Sequence, residues 1–258
     1  MTGRIRAIAF NTFREAVRDR VLYNLVFFAL LLVALAPLLG QISAGVQRVL
    51  LINLSLSAIS IFGTVIAIFL GISLVSKEIE RRTLYPVLAR PVGRGEFIVG
   101  KYFGLAGTLL VNTGAMSAGF YLALFLMMGR LGRSDANVLI AIYFILLQFL
   151  VIIGLALLFS SFSSPMLSAL FAFSLFVAGT FAGDLRSFAQ SVPGPQSWLA
   201  SITSYVIPNL ASLNVITRVA HDQLISVQLV GYNTLYSLLY TGVTVSGAAL
   251  IFSRRNLK

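Results

Sequence analysis

What most constrains this chain is a set of five long stretches without a charged side chain: Val21 to Gln47, Val49 to Ser76, Tyr102 to Gly129, Ala136 to Gly183 and Gln223 to Ser253. An ionised group at the centre of a bilayer costs about 2.5–3.5 kcal/mol even on the mildest scale, and one helical crossing takes about 20 residues. Windows of this length therefore read as membrane spans. The fourth, 48 residues long, exceeds one crossing and is interrupted by Ser160-Ser161-Phe162-Ser163-Ser164-Pro165. Proline suits the first turn of a helix, so we divide the window there into two helices joined by a tight turn. Six spans follow, near 21–39, 52–75, 102–128, 138–159, 165–183 and 229–252. The fold class expected is an all-α polytopic membrane protein forming a single domain over residues 1–258. Composition agrees: 10% of residues are charged, against about a quarter in a soluble domain, which excludes a water-soluble globule.

The 19 Lys and Arg outnumber the 8 Asp and Glu, and their placement sets orientation. Residues 1–20 carry Arg4, Arg6, Arg14, Arg18 and Arg20; the stretch 76–101 carries Lys77, Arg81, Arg82, Arg90, Arg94 and Lys101; the C-terminus adds Arg254, Arg255 and Lys258. Arg48, Arg130, Arg133, Arg186 and Arg218 are left for the opposite side. Both termini are expected in the cytoplasm, with the chain in the cytoplasmic (inner) membrane. The rival reading of the N-terminus is a cleaved signal peptide, but the apolar stretch 21–39 is longer than the usual 7–15 or so residues. Before it, Ile5, Ile8, Ala9, Thr12, Phe13, Ala16 and Val17 recur at helical spacing, opposite Arg4, Asn11, Arg14, Glu15 and Arg18. That pattern predicts an amphipathic helix over 1–20 lying on the inner surface; the alternative is a basic tail that only orients the first span.

The loop 76–101 concentrates nine of the chain's 27 charges, mixing six cations with Glu78, Glu80 and Glu96. Ile79, Thr83 and Val87 are four apart with Leu84 and Leu88 beside them, giving a short helix one apolar edge. Pro86 and Pro91 limit it to one or two turns. On these residues alone, a docking surface and a solvated basic loop are both open.

The run Lys77-Glu78-Ile79-Glu80-Arg81-Arg82-Thr83-Leu84, followed by Ala89-Arg90-Pro91-Val92-Gly93-Arg94, Phe97 and Gly100-Lys101-Tyr102, resembles the loop after the second helix in permeases of type-2 ABC exporters. The likeness is greatest to the NosY-like branch associated with multicopper-enzyme maturation. Ile207-Pro208-Asn209-Leu210 with Leu213-Asn214, and Phe252-Ser253-Arg254-Arg255-Asn256-Leu257, are similar to the same branch. The resemblance covers nearly the whole chain. It implies a permease that forms the translocation pathway as a homodimer, works with two copies of a cytoplasmic ABC ATPase, and leaves ATP and magnesium to that partner. It further implies that the loop holds a cytoplasmic coupling helix seated in the ATPase, with Lys77, Glu78, Glu80, Arg81, Arg82, Thr83, Leu84, Tyr85, Leu88, Arg90 and Arg94 as coupling residues. The segment 184–226 would form short helices dipping into the outer leaflet before the last span, with Trp198, Pro208, Asn209 and Asn214 at an external gate. Further partners are membrane lipid and, compatibly with the family, an extracytoplasmic accessory protein; no nucleic acid is expected.

Small residues recur every four positions at Gly63, Ala67 and Gly71 in the second span and at Gly179 and Gly183 in the fifth. The spacing permits close helix packing within a subunit or between subunits. The resemblance implies that these two helices flank a central pathway in the dimer. The spans offer only neutral polar groups such as Asn53, Thr64, Asn112 and Gln148. The lack of a carboxylate or cation at depth favours an external energy source and an amphipathic or weakly charged cargo. Asn53 and Gln148 read as interhelical hydrogen-bond partners or as cargo ligands.

Sites for chemistry are few. Gly95-Glu-Phe-Ile-Val-Gly100-Lys101 has P-loop spacing, but Tyr102 stands where the magnesium-binding hydroxyl belongs, and the run leads into a span rather than following a strand. With no cysteine and a single histidine, His221, no metal or cofactor is expected. The other function classes are a stand-alone channel or carrier and an intramembrane lipid-modifying enzyme. The latter needs a converging nucleophile and base, which the sequence does not supply.

Overall fold

The computed structural model describes residues 2–41, 46–80, 93–129, 132–191 and 207–254. The chain forms α1 (Thr2–Val17), α2 (Arg20–Gln41), α3 (Gln47–Glu80), α4 (Arg94–Met128), α5 (Val138–Ser160), α6 (Pro165–Thr180), α7 (Ala182–Ser191) and α8 (Val227–Arg254). Shorter helical turns cover Arg133–Ala136, Ala211–Leu213 and Ile216–Ala220, and no strand occurs among the described residues. Five of the expected spans fall within α2, α3, α4, α5 and α8; the one over 165–183 is shorter than expected, because α6 ends at Thr180 and Ala182 opens α7. Four stretches are long and apolar enough to cross a membrane, namely Gln47–Ser73, Arg94–Met128, Val138–Ser160 and Val227–Arg254; Leu22–Leu35 and Pro165–Thr180 are shorter apolar helices.

The bundle is organised by the solvent it needs. α5 is apolar on every side and accordingly occupies the centre, with α3, α4, α6 and α8 packed around it. α8 reverses the amphipathicity of a soluble helix. Its inward stripe is polar, Asn233, Ser237, Thr241 and Thr244, while Tyr232, Leu238, Leu239 and Val243 face outward. Outward hydrocarbon of this kind lowers the free energy only in an apolar solvent, and the small inward groups let helices approach.

Two helices overrun the expected spans at their charged ends. α3 continues to Glu80 and α4 begins at Arg94, at 34 and 35 residues respectively. Each is about 50 Å long at about 1.5 Å per residue, against a hydrocarbon layer of about 30 Å. Leaving the apolar layer does not end a helix, because its backbone bonds are internal. Termination comes from local chemistry: the Gly93 N–H donates to Glu96 Oε2 at 3.2 Å at the start of α4, and Gly129, at φ +69°, ends it. Between α5 and α6, the hydroxyls of Ser161 and Ser163 donate to the carbonyls of Leu158 and Phe159, at 2.6 and 2.9 Å, and Pro165 opens α6. The same two carbonyls also accept from the N–H groups of Ser161, Phe162 and Ser163, so the serine hydroxyls add second bonds at a helix end that its own backbone has already closed.

α1 presents Thr12 and Ala16, both buried, with Ile8 and Ala9 half-buried beside them. Its apolar side, expected on the membrane surface, packs on α4 of the same chain.

Candidate coupling root and transport surface

The charged loop leaves the bundle between the end of α3 and the start of α4. Lys77, Glu78 and Glu80 lie on the last turn and a half of α3, whose backbone is helical there. Arg81, Arg82, Thr83, Leu84, Tyr85, Leu88 and Arg90 lie outside the described residues. Arg94 is placed: its Nη1 donates to the Ser253 carbonyl in the last turn of α8 at 2.9 Å. One turn further, Phe97 stacks on Phe252 with centroids 5.7 Å apart. α4 and α8 are joined where the loop re-enters the bundle.

α1 closes the same root. A Cβ on Gly100 would stand 2.7 Å from Ile8 Cβ, and one on Gly104 would stand 2.5 Å from the Ala9 carbonyl oxygen. Only glycine at these two positions lets the α1 backbone lie directly on α4. Between them Lys101 is 1% exposed, its Nζ 3.7 Å from Glu15 Oε2 and 5.5 Å from the centre of the Phe97 ring. Sequence reasoning took Lys101 for a topology-setting cation and Glu15 for part of a solvated face. The Gly-Lys-X-X-Gly spacing was the available signal, but it straddles the boundary drawn at residue 102.

The small-residue stripe on α3 faces inward. A Cβ on Gly63 would strike the Phe149 ring, one on Gly71 would lie 2.6 Å from Ala156 Cβ, and Ala67 is wholly buried. These residues seat α3 against α5 within the chain. Gln148 bonds α5 to α3, donating to Thr64 Oγ1 at 3.0 Å and Ser60 Oγ at 3.2 Å. Asn53 instead donates one turn back along its own helix, to the Val49 carbonyl at 3.0 Å. The other side of α3 is open. Val65, Ile68, Phe69 and Ile72 form, with Met166 and Phe173 of α6, an apolar groove of about 470 Å³.

At the opposite end, Gly179 lies under the segment 207–213. Its carbonyl accepts from Leu210 N–H at 3.1 Å, and a Cβ would meet the Pro208 carbonyl at 2.6 Å. Gly183 lies in α7, where a Cβ would find Ala211 at an ordinary 3.8 Å. Asn209 donates its N–H to the Tyr236 hydroxyl at 2.8 Å, and Asn214 Oδ1 accepts from Ile216 N–H at 3.3 Å. The segment is thus tied to α6 through Leu210 and to α8 through Asn209, while the Asn214 side chain bonds locally; Trp198 lies outside the described residues.

Beside this segment is a network that sequence reasoning missed. Arg48 donates to Asp135 Oδ1 at 2.9 Å through Nη2, and to Asp222 Oδ2 at 2.9 Å through Nη1. Asp135 also accepts from Gly132 N–H at 2.6 Å. Three segments, separated by 87 and 174 residues from Arg48, meet at one guanidinium. Asp222 has φ +55°, a conformation that Asp tolerates better than most residues. His221 is exposed, and no cluster able to hold a metal occurs among the described residues.

A bundle with an apolar exterior, a polar inner seam and four membrane-length stretches defines a multi-pass helical membrane protein. Residues 6–257 match the model of a family described as ABC-2 family transporter protein, and the chain belongs to that family. It is therefore an ABC transporter permease, a transport component, and membership implies an ABC ATPase as its partner. No curated protein matches the sequence.

Proposed function

We infer that this chain is the permease of an ABC exporter of the NosY-like kind, crossing the inner membrane six times with both termini in the cytoplasm. Two copies form the pathway, and two copies of a separate ATPase supply the stroke. The observation that carries this reading is the root of the charged loop. α3 and α4 each exceed the hydrocarbon thickness by about 20 Å, and α4 is fixed at its base to α1 and α8. A push on residues 81–92 is then delivered to whole helices rather than dissipated in a flexible connection. Arg81, Arg82 and Arg90 seat the loop on the ATPase by charge, and Leu84, Tyr85 and Leu88 supply the apolar contact. ATP and magnesium are held by the ATPase.

The open groove between α3 and α6 supports the second copy: Met166 in its wall is 85% exposed in the single chain. An apolar pathway wall without charge suits an amphipathic or weakly charged cargo. The segment holding Pro208, Asn209 and Asn214 serves as the outer gate, a role that the family likeness extends to Trp198. α2, at 22 residues, reaches about 33 Å, and α6, at 16, about 24 Å. α6 crosses with the help of the Ser160–Ser164 turn and of α7.

The test is reconstitution with the ABC ATPase captured with this chain from its native membrane. Co-purification and ATP-dependent transport are expected, and Leu84→Asp should leave ATP hydrolysis running while transport falls at least tenfold. Uphill transport by vesicles without any ATPase, or full transport by an intact Leu84→Asp complex, would overturn the reading.

A further inference from the structure

The side of α1 facing away from the bundle axis borders a second groove, of about 590 Å³, between α1 and α4. Its walls are Phe10 and Phe13 from α1 and Phe103, Gly104 and Gly107 from α4, with Arg6 at its rim. Phe10 and Phe103 are each more than half exposed, so the groove opens outward. Its volume is in the range that holds a small-molecule ligand, roughly 300–1,000 Å³. On α4 it begins just after Lys101, the last charge before a membrane-spanning stretch, and beyond Gly107 the helical repeat brings Leu110 and Val111, both largely exposed, onto the same side of α4. The same track therefore runs from the level of lipid headgroups into hydrocarbon.

We propose that this groove holds one anionic phospholipid, its phosphate on the Arg6 guanidinium and an acyl chain along Phe103, Gly104 and Gly107. Charge complementarity selects the occupant. α1 carries Arg4, Arg6 and Arg14 against Glu15, a net cationic helix that favours anionic over zwitterionic headgroups by about fivefold per well-placed cation. A guanidinium at the rim can pair with phosphate through two N–H donors. Gly107 supplies room: a Cβ there meets only the Phe13 ring edge, at 3.6 Å, which leaves the floor of the groove clear for a chain. The bound lipid would hold α1 against α4 at the coupling root. The proposal needs the lipid and the folded chain but no ATPase, so its failure would leave the exporter reading untouched.

The experiment is native mass spectrometry of the delipidated full chain titrated with phosphatidylglycerol or phosphatidylcholine. Wild type should retain one phosphatidylglycerol at least fivefold more tightly than phosphatidylcholine. Arg6→Gln should lower phosphatidylglycerol retention about fivefold. Arg18→Gln, which removes the same charge twelve residues on, just past the end of α1, should lower it less than twofold. Gly107→Leu, which fills the groove with a side chain the site can accept, should lower retention of both lipids. Equal losses in Arg6→Gln and Arg18→Gln would show attraction to diffuse charge and overturn the proposal. Equal affinity of wild type for the two lipids, or unchanged retention in a folded Gly107→Leu protein, would do the same.

Discussion

The two ends of the bundle are fastened by opposite physics. At the loop root, α1, α4 and α8 meet through backbone contact at Gly100 and Gly104, the Phe97–Phe252 stack and one buried cation, Lys101. At the other end, α3, the Arg133–Ala136 turn and the segment after Ile216–Ala220 meet through Arg48 and two carboxylates, with Asp222 half exposed. Close packing is short-ranged and unaffected by salt, and it resists deformation until it fails. Partly exposed ion pairs contribute little each and are screened by salt. A transporter driven from one end benefits from this asymmetry: the driven end transmits displacement, and the far end separates and rejoins at low cost.

The largest effect should come from breaking the packed end. Gly104→Val places a branched side chain against the Ala9 carbonyl, a backbone atom that cannot swing aside. Overpacking of this kind typically costs about 1–3 kcal/mol, and we expect the upper part of that range. Thermal unfolding in lipid nanodiscs, with hydrogen exchange over α1, should show α1 released from α4. Wild-type protection of α1 would show that the root is not held by backbone approach.

Next comes Arg48→Met, which leaves Asp135 without its cation but still bonded to Gly132 N–H. The uncompensated carboxylate should cost about 1–3 kcal/mol, read as faster exchange in residues 207–222. A smaller loss is expected for Asp222→Asn, about 0.5 kcal/mol for an exposed pair. Raising salt from 50 to 500 mM should erase the Asp222→Asn difference while leaving Gly104→Val unchanged. Equal salt sensitivity at the two ends would remove the contrast.

The sequence made much of this architecture legible, and the exceptions have physical causes. Charge-free windows mark α2 to α6 and α8 because the cost of burying charge is large and local, so the signal sits in consecutive residues. The periodicity of α1 correctly separated Ile8, Thr12 and Ala16 from Arg14 and Arg18, since a helix face is set by its own sequence. Its partner was not legible: an apolar stripe has the same pattern whether it meets lipid or Gly100 and Gly104. The overrun of α3 and α4 was hidden for a related reason, because hydropathy marks where hydrocarbon ends rather than where a helix does. The Arg48 network joins segments 87 and 174 residues apart, and no local pattern encodes such a meeting. The coupling residues from Arg81 to Arg90 rest on family likeness, and the described structure constrains only their two anchors.

A near-neutral substitution discriminates best between the two ends. Lys101 is 1% exposed, and burial alone would make its removal the gravest lesion in the molecule. Yet a buried charge pays a desolvation penalty that its partners only offset, and replacing such a group by an apolar one of similar length is often neutral or better. Its aliphatic stem packs wherever the charge goes. Lys101→Met should therefore stay within about 1 kcal/mol of wild type, whereas Lys101→Ala should lose about 2 kcal/mol through the cavity it leaves. If Lys101→Met instead destabilises as much as Lys101→Ala, the ammonium rather than the packing holds the root. The packed end would then be electrostatic as well, and its stability should fall with salt like that of the Arg48 network.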